Sequence, residues 1–298
     1  MKHTDALVLP VSRSRASDYV ALAKPRLNLL VVITTAVGFY LGTRNEINLL
    51  MFFHTVVGTA LVAGGSAAMN QIYERRVDAL MNRTKRRPLP DGRLSVMEAG
   101  VFALVLSVVG LLQLAIGANF LAAMVALTTL VTYVAVYTPL KLKTSFATVV
   151  GAVPGALPPM IGWAAATGVL SREAWVLFAI VFLWQMPHFL AIAWLYRDEY
   201  ARAGFPLLPV VEPDGRSTAR QVTAYAAALL PVSLAPTALG LATDTFFLGA
   251  LVLGSVFLGL AVAFARAQTR DRARWLFLGS IIYLPLVWGL LVATRALP

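Results

Sequence analysis

Apolar and polar positions along this chain are grouped into long blocks. Nine apolar runs can be marked, at about 24–42, 49–71, 95–115, 119–138, 146–167, 173–195, 221–241, 246–265 and 275–294. Each is close to the ~20 residues that an α-helix needs to cross a bilayer core. The pattern predicts an all-α fold: a polytopic membrane helical bundle of nine transmembrane helices. The connections alternate as well. Those after the first, third, fifth and seventh runs are short and almost uncharged, whereas those after the second, fourth, sixth and eighth are basic.

This alternation sets an orientation. With the N-terminus in the cytoplasm, all of the 25 Lys and Arg residues fall on the cytoplasmic side except Arg44, Arg172 and Arg295. Basic residues are retained on that side during insertion, so the expected topology is N-terminus cytoplasmic, C-terminus outside. The formal net charge of +11 is mostly this bias, and no nucleic-acid partner is needed to explain it. Residues 1–20, basic and without clear periodicity, read as a mobile N-terminal tail. Residues 21–298 read as one transmembrane domain. The first apolar run is too long for a signal peptide and reads as a retained helix.

Composition agrees: 59% of residues are hydrophobic and 13% charged, about half the charged fraction of a soluble domain. The absence of cysteine excludes disulfides, thiolate metal sites, iron–sulfur clusters and a cysteine nucleophile.

Candidate chemistry starts where the second run ends, in NQIYERRVDALMNRTKRRPLP from Asn70 to Pro90. Asn70, Glu74 and Asp78 follow at four-residue spacing, so a helix places them on nearly one face. Two carboxylates and an amide suit Mg2+, which takes one or two carboxylates together with substrate phosphate oxygens. Arg83, Lys85, Arg86 and Arg87 follow and suit phosphate contacts. The plainer alternative is that the two acids pair with Arg75, Arg76 or Arg83 at a helix end. The fifth run, with Gly151, Gly155 and Gly162 among Pro154, Pro158 and Pro159, must bend or break. Such backbone either packs helices closely or walls a ligand cavity.

After the sixth run, Tyr196, Arg197, Asp198, Glu199 and Tyr200 stand together. Asp198 and Glu199 are adjacent, point about 100° apart on a helix and cannot both face one metal. Tyr196 and Tyr200 share a face, where they either reach phosphate or substrate carboxylates or form an interfacial aromatic belt. His188 follows Pro187 inside an apolar run. A ring at that depth can ligate a haem iron, accept a proton or bond a neighbouring carbonyl.

These residues carry a resemblance. NQIYERRVDALMNRTKRRPL, YTPLKLKTSFATVVGAVPGALPPMIGW and WQMPHFLAIAWLYRDEYARAGFPLLPV, with KPRLN near the start, resemble the UbiA superfamily of intramembrane prenyltransferases, and within it the haem-modifying branch. The resemblance runs from about residue 24 to residue 211 and covers the last helices by topology only. It implies a Mg2+-dependent transfer of farnesyl from farnesyl diphosphate to the 2-vinyl group of haem B, with water addition, giving haem O in a bacterial inner membrane. It implies that Asn70, Glu74 and Asp78 hold Mg2+, with Asp198 or Glu199 completing the shell. Arg83, Lys85, Arg87, Lys141 and Arg197 would meet the diphosphate, and His188, Tyr196 and Tyr200 the haem. Membrane lipid and a haem A synthase are the implied partners. Quinone-forming members usually show a second Asp-x3-Asp where this chain has Tyr196 and Tyr200, which favours haem as acceptor. The alternatives are a relative acting on a quinone precursor or chlorophyllide, and a non-catalytic nine-helix transporter or haem scaffold.

Overall fold

The computed structural model describes residues 14–44 and 46–296. They form helices with no strand beyond one isolated bridge, Ala242 to Arg295. The order is α1 (Arg15–Ala23), α2 (Pro25–Gly42), α3 (Leu49–Asp78), α4 (Val96–Gly117), α5 (Phe120–Val131), a π-helical turn (Thr132–Tyr137) and α6 (Thr138–Leu140). There follow α7 (Ala147–Ala156), α8 (Pro158–Thr167), α9 (Arg172–Leu195), α10 (Arg197–Arg202), α11 (Leu208–Val211), α12 (Arg216–Ala238), α13 (Asp244–Ala267) and α14 (Arg270–Ala293).

Among the described residues, eight segments are long and apolar enough to cross a membrane: α2, α3, α4, α5 through α6, α7 with α8, α9, α13 and α14. The chain is therefore a multi-pass membrane protein. The seventh apolar run of the sequence is α12, as long as the others but more polar, since it opens on Arg216 and carries Arg220, Pro231 and Pro236. It packs on α9 and α13, and its buried Ser233 hydroxyl lies 2.7 Å from the Tyr283 hydroxyl of α14.

Part of the expected tail is structured, whereas residues 1–13 lie outside the described residues. Ser14 caps α1 by accepting from the Ser17 amide. Asp18, 3% exposed, is held by Arg93 at 3.0 Å, and Leu22 is fully buried. An apolar face and one buried ion pair fasten the segment to α3 and α4.

The fifth run breaks as its prolines require. Pro158 and Pro159 have no N–H to offer the carbonyls of Pro154 and Gly155, and Leu157 separates α7 from α8. The Thr35 hydroxyl donates to the Pro158 carbonyl at 3.1 Å. α2 crosses α8 at backbone contact, because a Cβ on Gly38 or Gly162 would overlap the carbonyl oxygens of Pro159 and Thr35. Small residues let the two helices touch where no hydrophobic driving force exists in lipid. α3 has 30 residues, about 45 Å of helix, more than a ~30 Å hydrocarbon core. Its last turns therefore pass the apolar layer and deliver Asn70, Glu74 and Asp78 to one end of the bundle.

Gly162→Ala should lower the thermal unfolding temperature of the detergent-solubilised protein, equivalent to about 1–3 kcal/mol of overpacking. Gly259→Ala, whose added Cβ meets nothing within 4 Å, should leave it unchanged or raised.

Candidate active site

Asn70, Glu74 and Asp78 lie along the inner face of the end of α3, with 3%, 3% and 1% of their surface exposed. A buried carboxylate must be paired, and each of these is. Arg87 donates to Asp78 Oδ2 at 2.6 Å and Lys141 to Glu74 Oε1 at 3.0 Å. Lys24 donates to Asn70 Oδ1 at 3.2 Å, and the Asn70 amide donates to the Thr138 hydroxyl at 3.2 Å. Asp78 Oδ1 is buried and has no hydrogen-bond partner. The acids therefore do not pair with Arg75, Arg76 or Arg83. Arg75 bonds the carbonyl of Ile72 instead.

Three pieces of local structure bring these cations in. The chain after α3 turns back on itself when the Thr84 hydroxyl donates to the Asp78 carbonyl at 2.8 Å, and this return carries Arg87 to Asp78. Lys141 follows the π-helical turn. Pro139 lacks an N–H, and the widened turn is closed by the Thr138 hydroxyl donating to the Tyr133 carbonyl at 2.8 Å. Tyr133 and Tyr137 pack together there, ring centroids 5.5 Å apart. Lys24 is the joint between α1 and α2, left-handed at φ 47°. A residue other than glycine adopts that backbone at about 1–3 kcal/mol.

Burial, with Arg87 as the next cause, pulls the Lys24 ammonium down to about 7. Burial would also depress Lys141, but the Tyr137 hydroxyl and the Glu74 carboxylate outweigh it and hold Lys141 above the ordinary lysine value. The Lys141 ammonium also lies 4.8 Å from the Phe205 ring centroid.

The sequence-derived residues do not all converge. Arg83 reaches the Tyr200 hydroxyl at 3.2 Å and lies over the Tyr196 ring at 5.6 Å, so α10 and the loop after α3 form one polar edge. Tyr200, Phe205 and Met81 pack beneath it. Lys85 turns outward to Asn82. Arg197 stacks on Trp194 at 4.9 Å and, among the described residues, approaches only the carboxylate of Asp198, whose side chain is 88% exposed. Asp198 is thus not brought to the trio, and Glu199 is half-buried with no side-chain partner among the described residues. Among the described residues, no group of three or more His, Asp or Glu side chains lies close enough to hold a metal ion unaided.

His188 stands apart, two turns before Tyr196 on α9. Its Nδ1 is 2.7 Å from the Ser280 hydroxyl of α14, and Ser280 donates its only hydroxyl proton to the Phe277 carbonyl at 2.6 Å. Ser280 therefore accepts from His188, the proton resides on Nδ1, and the lone pair is left on Nε2. The ring is stacked on Trp184 at 5.0 Å, and the Trp184 indole donates to the Ser280 carbonyl at 2.8 Å.

The sequence alone did not single out Lys24, Thr138, Tyr133, Tyr137 or Ser280. KPRLN and the Pro139 of YTPLK were signals for the first four. Nothing in the sequence points from Ser280 to His188.

Comparison with known proteins identifies the family of the chain. The model of the UbiA prenyltransferase family matches residues 31–293. The protoheme IX farnesyltransferase of Solibacter usitatus is 48% identical, the match covering 93% of this chain and 98% of that protein. That of Koribacter versatilis is 44% identical, covering 98% and 97%. A digeranylgeranylglyceryl phosphate synthase has the same fold, with a TM-score of 0.80 at 15% identity over 94% of this chain and 98% of its own. A UbiA homolog from Archaeoglobus fulgidus bound to GPP and Mg2+ gives a TM-score of 0.59 at 18% identity over 92% and 99%. On the sequence matches and the fold together, the chain belongs to the UbiA prenyltransferase family.

Proposed function

We propose that the protein transfers the farnesyl group of farnesyl diphosphate to the 2-vinyl group of haem B, with addition of water, giving haem O and diphosphate. On the donor side the reading is carried by the buried set of Asn70, Glu74 and Asp78 with its matching cations. On the acceptor side it is supported by near-full-length similarity to protoheme IX farnesyltransferases and by the oriented ring of His188.

The residues present fit a metal ion. Asp78 Oδ1 is a buried anionic oxygen without a partner, and Asn70 and Glu74 add oxygens on the same face. The archaeal homolog bound to GPP and Mg2+ supports Mg2+ as the ion, held by these three residues and the diphosphate. When bound, Mg2+ offsets the charge of the diphosphate and makes it a better leaving group. Arg87 and Lys141 exchange their carboxylate partners for phosphate oxygens, and Arg83 and Lys24 stand at the edge of the same set. Arg197, Lys85, Asp198 and Glu199 lie further out and meet the solvated part of the substrate. The C1–O bond breaks with its electron pair leaving on the diphosphate. The rings of Tyr133 and Tyr137 and the apolar bundle shield the allylic cation from water. The vinyl π electrons form the new bond to C1. A water oxygen then adds to the cationic carbon beside the porphyrin and loses its proton to the departing diphosphate. His188 presents Nε2 to the haem iron, and Ser280 is its positioning residue. Tyr196 and Tyr200 line the haem side of the polar edge. Haem O then passes to a haem A synthase.

The protein resides in the bacterial inner membrane with nine spans, N-terminus cytoplasmic and C-terminus outside. The charge bias of its connections supports this orientation, and the length of α12 supports a ninth span.

Purified protein given haem B, farnesyl diphosphate and Mg2+ should yield a haem heavier by one farnesyl group and one hydroxyl group. Asp78→Asn should lower the rate by a factor of about 100 or more. His188→Ala should raise KM for haem more than it lowers kcat, and Ser280→Ala should do the same to a smaller degree. Prenylation of 4-hydroxybenzoate with haem B untouched would overturn the acceptor assignment. The chain has no cysteine, so single cysteines report topology. Lys143→Cys and Asp214→Cys should react with an impermeant maleimide only from the cytoplasmic side, and Glu46→Cys and Thr243→Cys only from the other. Labelling of Asp214→Cys and Thr243→Cys from one side would remove α12 from the spans.

A further inference from the structure

The end of the bundle opposite the acids encloses a cavity of about 940 Å³. Met51, near the start of α3, lines it, and Glu74 lies at the other end of the same helix, about 35 Å away. The cavity is therefore separate from the diphosphate set, and nothing in the reaction above uses it.

Arg44, Arg172 and Arg295 all line this cavity. They are the three basic residues that the charge pattern leaves on this side of the membrane. They come from the end of α2, the start of α9 and the segment after α14, far apart in sequence. Independent loop charges would scatter around the bundle rim, but these converge. Among the described residues, Arg44 and Arg295 have no carboxylate within ion-pair distance, and Arg172 has only its neighbour Glu173 at 3.3 Å. Arg295 is oriented by donating to the Thr43 carbonyl and by stacking on Tyr40 at 4.8 Å. The cavity wall adds a second, independent donor. Trp163 is 6% exposed and lines the cavity, and its buried indole N–H has no partner among the described residues. α9, 24 residues long, begins at the cavity, and its N-cap Ser171 makes no side-chain capping bond to the first-turn amides. Glu46 and Glu173 also line the space, leaving the three guanidinium groups one charge in excess.

Guanidinium groups, an indole N–H and a helix N-terminus donate hydrogen bonds and accept none. Their forks match phosphate and bind it in bidentate fashion. We propose that this cavity binds a phosphate oxyanion, carried on a lipid headgroup or free in solution. The bound group ties together the α2–α3 connection, the start of α9 and the C-terminal segment. The site depends on neither the donor nor the acceptor assignment made for the other end.

The test uses the full chain purified in neutral detergent, followed by thermal unfolding and by native mass spectrometry. Phosphatidylglycerol should raise the unfolding temperature and remain bound, whereas diacylglycerol, which lacks the phosphate, should do neither. The R44Q/R172Q/R295Q variant should lose the shift. Arg44→Gln alone changes an exposed side chain that makes no side-chain hydrogen bond among the described residues, so it keeps the fold intact. It should weaken phosphatidylglycerol binding about tenfold, the size of one charged hydrogen bond. Asp78→Asn should keep the full shift, which separates this site from the diphosphate set. If inorganic phosphate alone reproduces the shift, the occupant is the free anion. If only phosphatidylglycerol does, it is the lipid headgroup. Equal stabilisation by diacylglycerol, or an unchanged shift in both arginine variants, would overturn the proposal.

Discussion

Two buried carboxylates at the end of one helix, Glu74 and Asp78, constrain much of the structure around them. Moving such ions out of water costs several kcal/mol each, and an unpaired one is not tolerated. The fold therefore has to bring a cation to each, from places the helix itself cannot supply. Arg87 arrives because the chain folds back after α3 and Lys141 because a π-helical turn precedes it, while Lys24 reaches the neighbouring Asn70 amide because α1 meets α2 in a left-handed joint. Three departures from regular backbone thus meet at one set of side chains. This is where strain and π-helical turns are expected to collect.

The same arrangement links stability to function. The cations that neutralise the carboxylates are suited to meet a diphosphate, and the carboxylates they release are suited to meet a divalent ion. A negatively charged substrate and a positive ion can enter together with little change in local net charge. Further into the bundle, His188 is fixed by a bond to Ser280 whose direction is set by the Phe277 carbonyl. The buried acid set and the His188 ring are thus fixed by different helices.

Much of this was legible in the chain. Long apolar runs give helix positions directly, because in lipid every backbone group must be satisfied within its own segment. The four-residue spacing of Asn70, Glu74 and Asp78 placed them on one face, and the prolines of the fifth run required a bend or break, which the structure puts at Leu157. Other features were less visible. Residues 14–20 looked like tail because the burial of Asp18 depends on Arg93, distant in sequence. Lys24 counted only as one more basic residue, since its role follows from a backbone angle. The resemblance implied that Asp198 or Glu199 would complete the metal shell, yet α10 turns Asp198 to solvent. The pairing of His188 with Ser280 is a contact between α9 and α14, which no local pattern encodes.

The claim that the buried cations exchange carboxylate for phosphate is tested most directly by equilibrium binding of farnesyl diphosphate. It should be titrated with and without Mg2+, into wild type and into Asp78→Asn. Wild type should bind much more tightly with Mg2+. Asp78→Asn, with Arg87 released and the orphaned Oδ1 charge removed, should bind as well as wild type or better without Mg2+ and gain little from adding it. If Asp78→Asn keeps the full Mg2+ dependence of wild type, Asp78 is not where the ion and the cations change places, and the account fails.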